Sequence, residues 1–446
     1  MEQLRRALGL VQSTALVVGI IIGASIFVQP SEIMREVPSV AGIFVVWTAA
    51  GLLTLAGALI CAELASAFPE SGGVYVFLRR TIAPSAAFLW AWAMFWSMHS
   101  GIVAAIAMIF GRYTVQLLPF GDDAIRPLAI LAILLVSAIN YFGVQHGGRL
   151  QAAFTLGKVA VIALMIAVAF SLGPAPGTPP AALSGATTAP SGAGPGAYLV
   201  AIAAGLFAFG GWHMVTYAAG ETVDAARTIP RALVIGIGVV VGAYIALNAA
   251  YLYVLPLEVV IGSSRVAADA ADAVLGGGGA AFVAGLVAFS SFGALAGVVL
   301  AGPRVYQRMA DDGLLFRWAG AIHPRFRTPA RAIALQAAWS CVLVLTGTYR
   351  ALFTRVVYTE WIFFALMAAG LLLARRRPGY DPAVRIPGGP VIPSLFIVGS
   401  LAVVANQLAA EPVDSAIGLG LVLVGLPVYL LWTRSHDPPE ARHGAD

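Results

Sequence analysis

Lysine, cysteine and charge of either sign are scarce in this chain. Of its 446 residues 11% are charged and 60% hydrophobic, and the mean hydropathy is +0.88. No water-soluble domain keeps that much apolar surface from water, which excludes the soluble classes. Two cysteines, Cys61 and Cys341, both inside apolar runs, exclude a disulfide framework and a thiolate metal site. No G-x-x-x-x-G-K-[ST] loop occurs, so ATP is not the expected energy source. No metal-spaced His, Cys, Asp and Glu cluster and no nucleophile elbow occurs either; neither an enzyme nor a bound metal or cofactor is expected. Period-2 alternation is missing, which leaves helices as the way to satisfy backbone groups in hydrocarbon. The net charge of +5 could suit nucleic acid, but the basic residues fall in short loops, where they set topology; the lipid bilayer is the expected partner and nucleic acid is not.

What is present is a series of apolar runs of roughly 20 residues, the length of a membrane helix. Twelve spans are expected, at about 11–36 (broken), 40–66, 85–117, 126–143, 150–171, 197–218 (broken), 232–255, 280–309, 329–348, 352–375, 390–409 and 413–433. An even number puts both termini on one side. With the N-terminus cytoplasmic, nineteen arginines lie inside and six outside, an excess that fixes this orientation in the plasma membrane. The start, MEQLRRALGL, is basic without a cleavage site after the first apolar run, so it reads as a retained helix. Gly173 to Gly196, rich in Pro, Gly and Ala, reads as an external flexible linker. Residues 436–446 read as a cytoplasmic tail behind one transport domain spanning 1–435.

Two spans are interrupted by small residues at mid-bilayer depth. Span 1 contains VVGIIIGASIFVQP, with Gly23, Ala24 and Ser25; span 6 contains GLFAFGGW, with Gly210 and Gly211. Each begins a run of five spans, about 11–171 and about 197–376, so an odd number of helices would invert the second copy; spans 11 and 12 lie outside the repeat. The half-helix after Gly23 would present the free N–H groups of Ser25, Ile26 and Phe27, positive enough for a carboxylate. The first half of span 6 would end with the carbonyls of Phe207, Ala208, Phe209 and Gly210 unpaired, negative enough for an ammonium. Together they make a backbone receptor for a zwitterion such as an α-amino acid. The bland alternative is that both glycine clusters only let helices pack closely.

In these residues the chain resembles the amino-acid/polyamine/organocation superfamily, in particular its L-type amino-acid exchanger branch and bacterial relatives. The likeness runs through IIIGASIFVQP, CAELASAFPESGGVYVFL, FTLGK, LFAFGGWHMVTYAAGE, RTIPRAL, FGALAG, RMADDGLL and IHPRFRTP, in order along nearly the whole chain. The resemblance implies an all-α polytopic fold with a five-plus-five inverted repeat, alternating access, and a bacterial inner membrane. It implies that Gly23, Ala24 and Ser25 hold the substrate carboxylate, where the branch usually has Gly-Ser-Gly, and that Ser25 with its Cβ and hydroxyl alters the pocket. It also implies that Ile21 and Gly210 offer carbonyls to the amino group and that Phe207 is an outer aromatic gate, or else packing. The branch often links a heavy subunit through a cysteine between spans 3 and 4; here that loop is PFGDDAIRP, so no disulfide-linked partner is expected.

Lys158, the single lysine among 26 basic residues, falls in the middle of span 5. A charge at that depth costs roughly 2.5–3.5 kcal/mol on insertion scales and must face protein or water. By resemblance it replaces a bound sodium, bridging the span 1 break to span 8 at Ser290 or Ser291. Glu360 in span 10 reads as protonated, paired with a cation, in contact with a substrate side chain, or simply wetted at the outer interface. His213 either lines the pocket or is a hydrogen-bonded core residue, and His99, among tryptophans, reads as core. Glu63 and Glu221, near the inner ends of spans 2 and 6, are expected either to hydrogen-bond at an inner gate or to pair with cytoplasmic arginines.

The expected function is therefore secondary, sodium-independent transport of small or neutral L-amino acids, by exchange or with proton coupling. A cationic amino-acid or polyamine carrier is the alternative that Glu360 favours. A membrane sensor for amino acids lacks a signalling domain here, and a channel lacks rings of like charge.

Overall fold

A computed structural model describes residues 4–173, 193–263, 265–348 and 355–435. Most of the expected linker, all of the expected tail and the start of span 10 lie outside these residues. Apolar runs with no water to bond must satisfy their amides internally, and most of the described chain is helical. Its only β pairing among the described residues is a single bridge between Leu8 and Thr222.

Span 1 is split into α1 (Leu10–Ile21) and α2 (Gln29–Glu36) around a short 3-10 turn, Ser25–Phe27. There follow α3 (Val40–Ala67), α4 (Val74–Thr81), α5 (Pro84–Ala93), a π-helical turn at Met94–Met98, α6 (His99–Val115), α7 (Ile125–Tyr141) and α8 (Val144–Leu172). Span 6 is split into α9 (Pro195–Ala208) and a 3-10 stretch, Trp212–Glu221. Then come α10 (Ala225–Val254), α11 (Leu257–Gly262), α12 (Val266–Leu275), α13 (Gly279–Ala301), α14 (Pro303–Asp311), α15 (Ala330–Thr346), α16 (Thr359–Ala374), α17 (Val391–Ala410), α18 (Pro412–Leu423) and α19 (Gly425–Ser435). Nine described segments are helices long and apolar enough to cross a membrane, and Leu10–Ile21, Ala330–Thr346 and Thr359–Ala374 are shorter apolar helices. The chain is a multi-pass membrane protein.

Two expected boundaries shift. The helix of span 5 starts at Val144, after Gly143 at φ 145°, and that of span 7 at Ala225, after Asp224 in the left-handed region at φ 45°. Both take arginines of the expected loops, Arg149 and Arg227, into helix. Helical pairing of amides extends past the apolar run until a turn conformation stops it.

The two faces of the bundle differ. On one face, Ala7 and Leu8 donate N–H bonds to the Glu221 carbonyl at 2.8 and 3.0 Å, and Trp432 donates its indole N–H to the Gly313 carbonyl at 2.7 Å. Ion pairs knit this face. Arg304 meets Glu221 through Nε at 2.7 Å and Nη2 at 3.0 Å, both side chains fully buried. Arg375 meets Glu63 at 2.8 and 2.6 Å, and the Ile386 N–H donates to the same carboxylate at 2.9 Å. Arg308 bridges Glu70 at 2.7 Å and Asp312 at 3.1 Å. The pairing expected of Glu63 and Glu221 is thus observed. On the opposite face the bundle opens into a cavity.

Candidate functional site: a cavity between two broken helices

Gly23 ends the regularity of α1. Its N–H turns back to the Ile21 carbonyl at 2.8 Å, and the Phe27 and Val28 N–H groups close short bonds to the Ala24 and Ser25 carbonyls, each at 3.1 Å. Among the described residues the N–H groups of Ala24, Ser25 and Ile26 donate to no backbone acceptor outside the turn. The Phe27 N–H, expected to be free, is therefore taken: a 3-10 turn bonds one residue sooner than an α-helix and leaves the free donors one position earlier. A Cβ built on Gly23 meets nothing nearer than the Ile21 carbonyl oxygen at 4.0 Å. The space beside it is open.

The carbonyls bared by this break are held by side chains from other helices. Lys158 on α8, fully buried, donates from Nζ to the Gly19 and Ile22 carbonyls, each at 2.8 Å. Ser290 on α13 shares the Ile22 carbonyl at 3.2 Å and reaches that of Gly23 at 3.3 Å. Lys158 and Ser290 thus share the Ile22 oxygen as acceptor. Ser291 plays no part in it; its hydroxyl is buried without a partner and the residue lines the cavity.

The second break is shaped by its own backbone. The Phe209 and Gly210 N–H groups fold back onto α9, and Gly211 takes φ +92°, a region that favours glycine. A Cβ there would lie 2.4 Å from Ile20 Cγ2, so α1 passes directly against it. Among the described residues no backbone N–H bonds the carbonyls of Phe209 and Gly210. The carbonyls of Phe207 and Ala208 are used, by Gly210 N–H at 3.1 Å and by the Tyr244 hydroxyl at 3.1 Å.

Tyr244, on α10, is the residue that sequence reasoning missed. Its hydroxyl lies 3.1 Å from both the Ile21 and the Ala208 carbonyl, so one phenol spans both breaks. Its ring packs on Phe209 and Trp47, with centroids 5.1 and 5.4 Å away. The signal available was a lone hydroxyl in the apolar run GAYIAL, which must find an acceptor when buried.

Between the breaks lies a cavity of ≈ 660 Å³, within the size range of small-molecule sites. Ile21, Gly23, Ala24, Ser25, Gly210 and Gly211 line it, as do Phe207, His213, Ser291 and Glu360. Ile26, Ala208 and Phe209, expected at the site, lie outside the lining and are buried in packing; Lys158 and Ser290 stand behind the first break. Phe207 is 47% exposed on the cavity wall. His213 forms part of the floor, its ring edge-on to Trp90, Trp212, Tyr217 and Phe364 at 4.9–5.9 Å. His99 is buried behind it, with Nε2 3.0 Å from the Val298 carbonyl. Gln29, Val200, Gln407 and Glu411 also belong to the lining. Among the described lining residues two acids, Glu360 and Glu411, occur and no Lys or Arg.

Comparison with known proteins agrees with this geometry. The family described as amino acid permease matches residues 8–428. The serine/threonine exchanger SteT of Bacillus subtilis (strain 168) is 30% identical over 430 residues, covering 96% of each chain. The large neutral amino acids transporter small subunit 2 of Oryctolagus cuniculus is 30% identical over 445 residues, 96% of this chain and 80% of its own. The human cystine/glutamate transporter is 29% identical over 443 residues, 96% of this chain and 86% of its own. With two interrupted helices meeting at a cavity and a match that runs from residue 8 to residue 428, the chain belongs to the amino acid permease family of the amino-acid/polyamine/organocation superfamily, related to its L-type amino-acid exchangers.

Proposed function

We propose that the protein exchanges small or neutral L-amino acids across a bacterial inner membrane by alternating access, independently of sodium. The activities for which the serine/threonine exchanger and the large neutral amino acids transporter are named support this substrate class. The observation that carries the reading is the opposed pair of breaks: among the described residues the amides of Ala24 and Ser25 and the carbonyl of Gly210 bond no backbone partner and belong to the cavity lining, the amides suited to one end of a zwitterion and the carbonyl to the other. Gly23 leaves the room the carboxylate needs. Lys158 stands where a sodium ion would otherwise neutralise the bared carbonyls of Gly19 and Ile22.

In this reading the nine long and three shorter apolar helices are twelve spans, and α1 to α8 and α9 to α16 are the inverted repeats. Both termini are cytoplasmic, so the cavity faces out and the buried Arg304–Glu221 pair belongs to the closed inner side. The Arg375–Glu63 pair lies with it. In this reading no disulfide-linked subunit is needed, because the loop PFGDDAIRP between spans 3 and 4 carries no cysteine. The test is counterflow: purified protein in liposomes loaded with unlabelled serine or leucine should accumulate the labelled amino acid from outside, with and without sodium. No accumulation for any of twenty amino acids would falsify the reading.

A further inference from the structure

Glu360 is left without a task by the backbone receptor. It sits in the first turn of α16 and lines the cavity. The cation nearest to it in sequence, Arg355, pairs with Asp414 at 2.8 Å, and Lys158, behind the first break, is bound to two carbonyls. Around it the wall is aromatic, with Trp212, Trp361 and Phe364. A helix N-terminus favours the carboxylate while the cavity is wet. Once the cavity closes over a substrate, an unpaired carboxylate in that wall carries a desolvation cost of several kcal/mol. Something must neutralise it before the site seals, and two agents can enter by the mouth: a proton from solvent, or a cation on the substrate itself. Aromatic faces suit the second.

We propose that Glu360 matches the charge of the loaded site: it takes a proton when the bound amino acid has an uncharged side chain and does without it when that side chain brings its own ammonium or guanidinium. The site then closes with one net charge for either class, and a neutral amino acid exchanges for a cationic one together with a counter-moving proton. The inference rests on the amino-acid reading of the cavity and extends it to a second substrate class. The titratable groups facing Glu360 are few. His213 and Tyr217 stand on the 3-10 stretch, the latter within electrostatic reach, and Glu411 lies across the mouth. Tyr358, on the same segment, is tied to the Ser415 carbonyl at 2.6 Å. From α17 come the neutral Asn406 and Gln407. On α3, Cys61 is engaged with Met367 and Glu63 with Arg375; on α4, Arg80 is held by Glu70 and Arg79 lies beside Asp312.

The test uses purified full-length protein in liposomes with a trapped pH dye, normalising proton movement to the amino-acid flux in each sample. With leucine inside and lysine outside, the lumen should lose close to one proton per exchanged pair, in the ratio set by one titrating carboxyl; leucine-for-leucine exchange should move none. Glu360→Gln should bring the proton-to-flux ratio to zero and Glu360→Asp should keep it. A flat dye signal during wild-type leucine–lysine exchange overturns the proposal, as does an unchanged ratio in Glu360→Gln, or leucine counterflow with none for lysine. Those results leave the amino-acid reading standing, whereas absence of counterflow for every amino acid overturns both.

Discussion

At the first break, the carbonyls of Gly19, Ile21, Ile22 and Gly23 are held by Lys158, Tyr244 and Ser290, side chains from three other helices, and Gly23 itself touches almost nothing. At the second, the chain turns through the positive φ of Gly211 with Ile20 pressed against it, and Tyr244 reaches the Ala208 carbonyl from outside. One interruption is imposed by the tertiary structure and the other by local backbone conformation. Side-chain bonds can be exchanged for others during a conformational cycle at little cost, while a positive φ persists through it.

This contrast can be broken most directly at Lys158. Removing its ammonium leaves the Gly19 carbonyl without that donor and the Ile22 carbonyl with Ser290 in its place, and with two charge-assisted bonds of about 1.5–3 kcal/mol each lost, exchange by Lys158→Ala in liposomes should fall by about 100-fold. Exchange at the wild-type rate would show that the first break needs no staple. Gly211→Ala strikes the other kind of break. A left-handed alanine costs about 1–2 kcal/mol before the clash with Ile20 is counted, so the melting temperature in detergent should drop by several degrees, and Ile20→Ala in the same chain should recover part of it. Full stability of the single variant would mean that the second break is not set by its own backbone.

Gly23→Ala sharpens the comparison, because here the added methyl meets open space. Stability should be unchanged, whereas the half-saturating substrate concentration should rise roughly 10-fold, the cost of crowding about one methyl's worth of a close-fitting site. Equal affinity in the two proteins would move the carboxylate site away from Gly23. The smallest effect is expected for Tyr244→Phe, which loses one hydroxyl shared by both breaks. Its loss of about 1 kcal/mol should slow exchange about fivefold with the ring stack on Phe209 intact, measured as initial rate at saturating substrate.

The same contrast explains what could be read ahead of the structure. The positions of both breaks were legible, since Gly23 to Ser25 and the Gly210-Gly211 pair interrupt apolar runs where nothing but a specific use tolerates it. So was the burial of Lys158, a single ammonium in the middle of span 5 with no surface within reach. Tyr244 was not legible, because nothing in GAYIAL says which carbonyls lie opposite. The neighbours of each break were overextended: Ile26, Ala208 and Phe209 adjoin the site in sequence, yet a helical residue one step along faces about 100° away and points into packing. The Phe27 amide was misassigned because the turn closes in 3-10 rather than α geometry, a difference of one residue that no apolar pattern encodes.

By itself the sequence determined that the chain is a helical membrane protein and where its helices fail. Hydrocarbon offers amides no partner, so composition and small-residue interruptions are enough to dictate both. Only the tertiary structure decided which of the bared amides and carbonyls stay free for a ligand. That depends on donors such as Lys158 and Tyr244, which lie 139 residues from Gly19 and 223 from Ile21 and come within hydrogen-bonding distance only when the helices have packed.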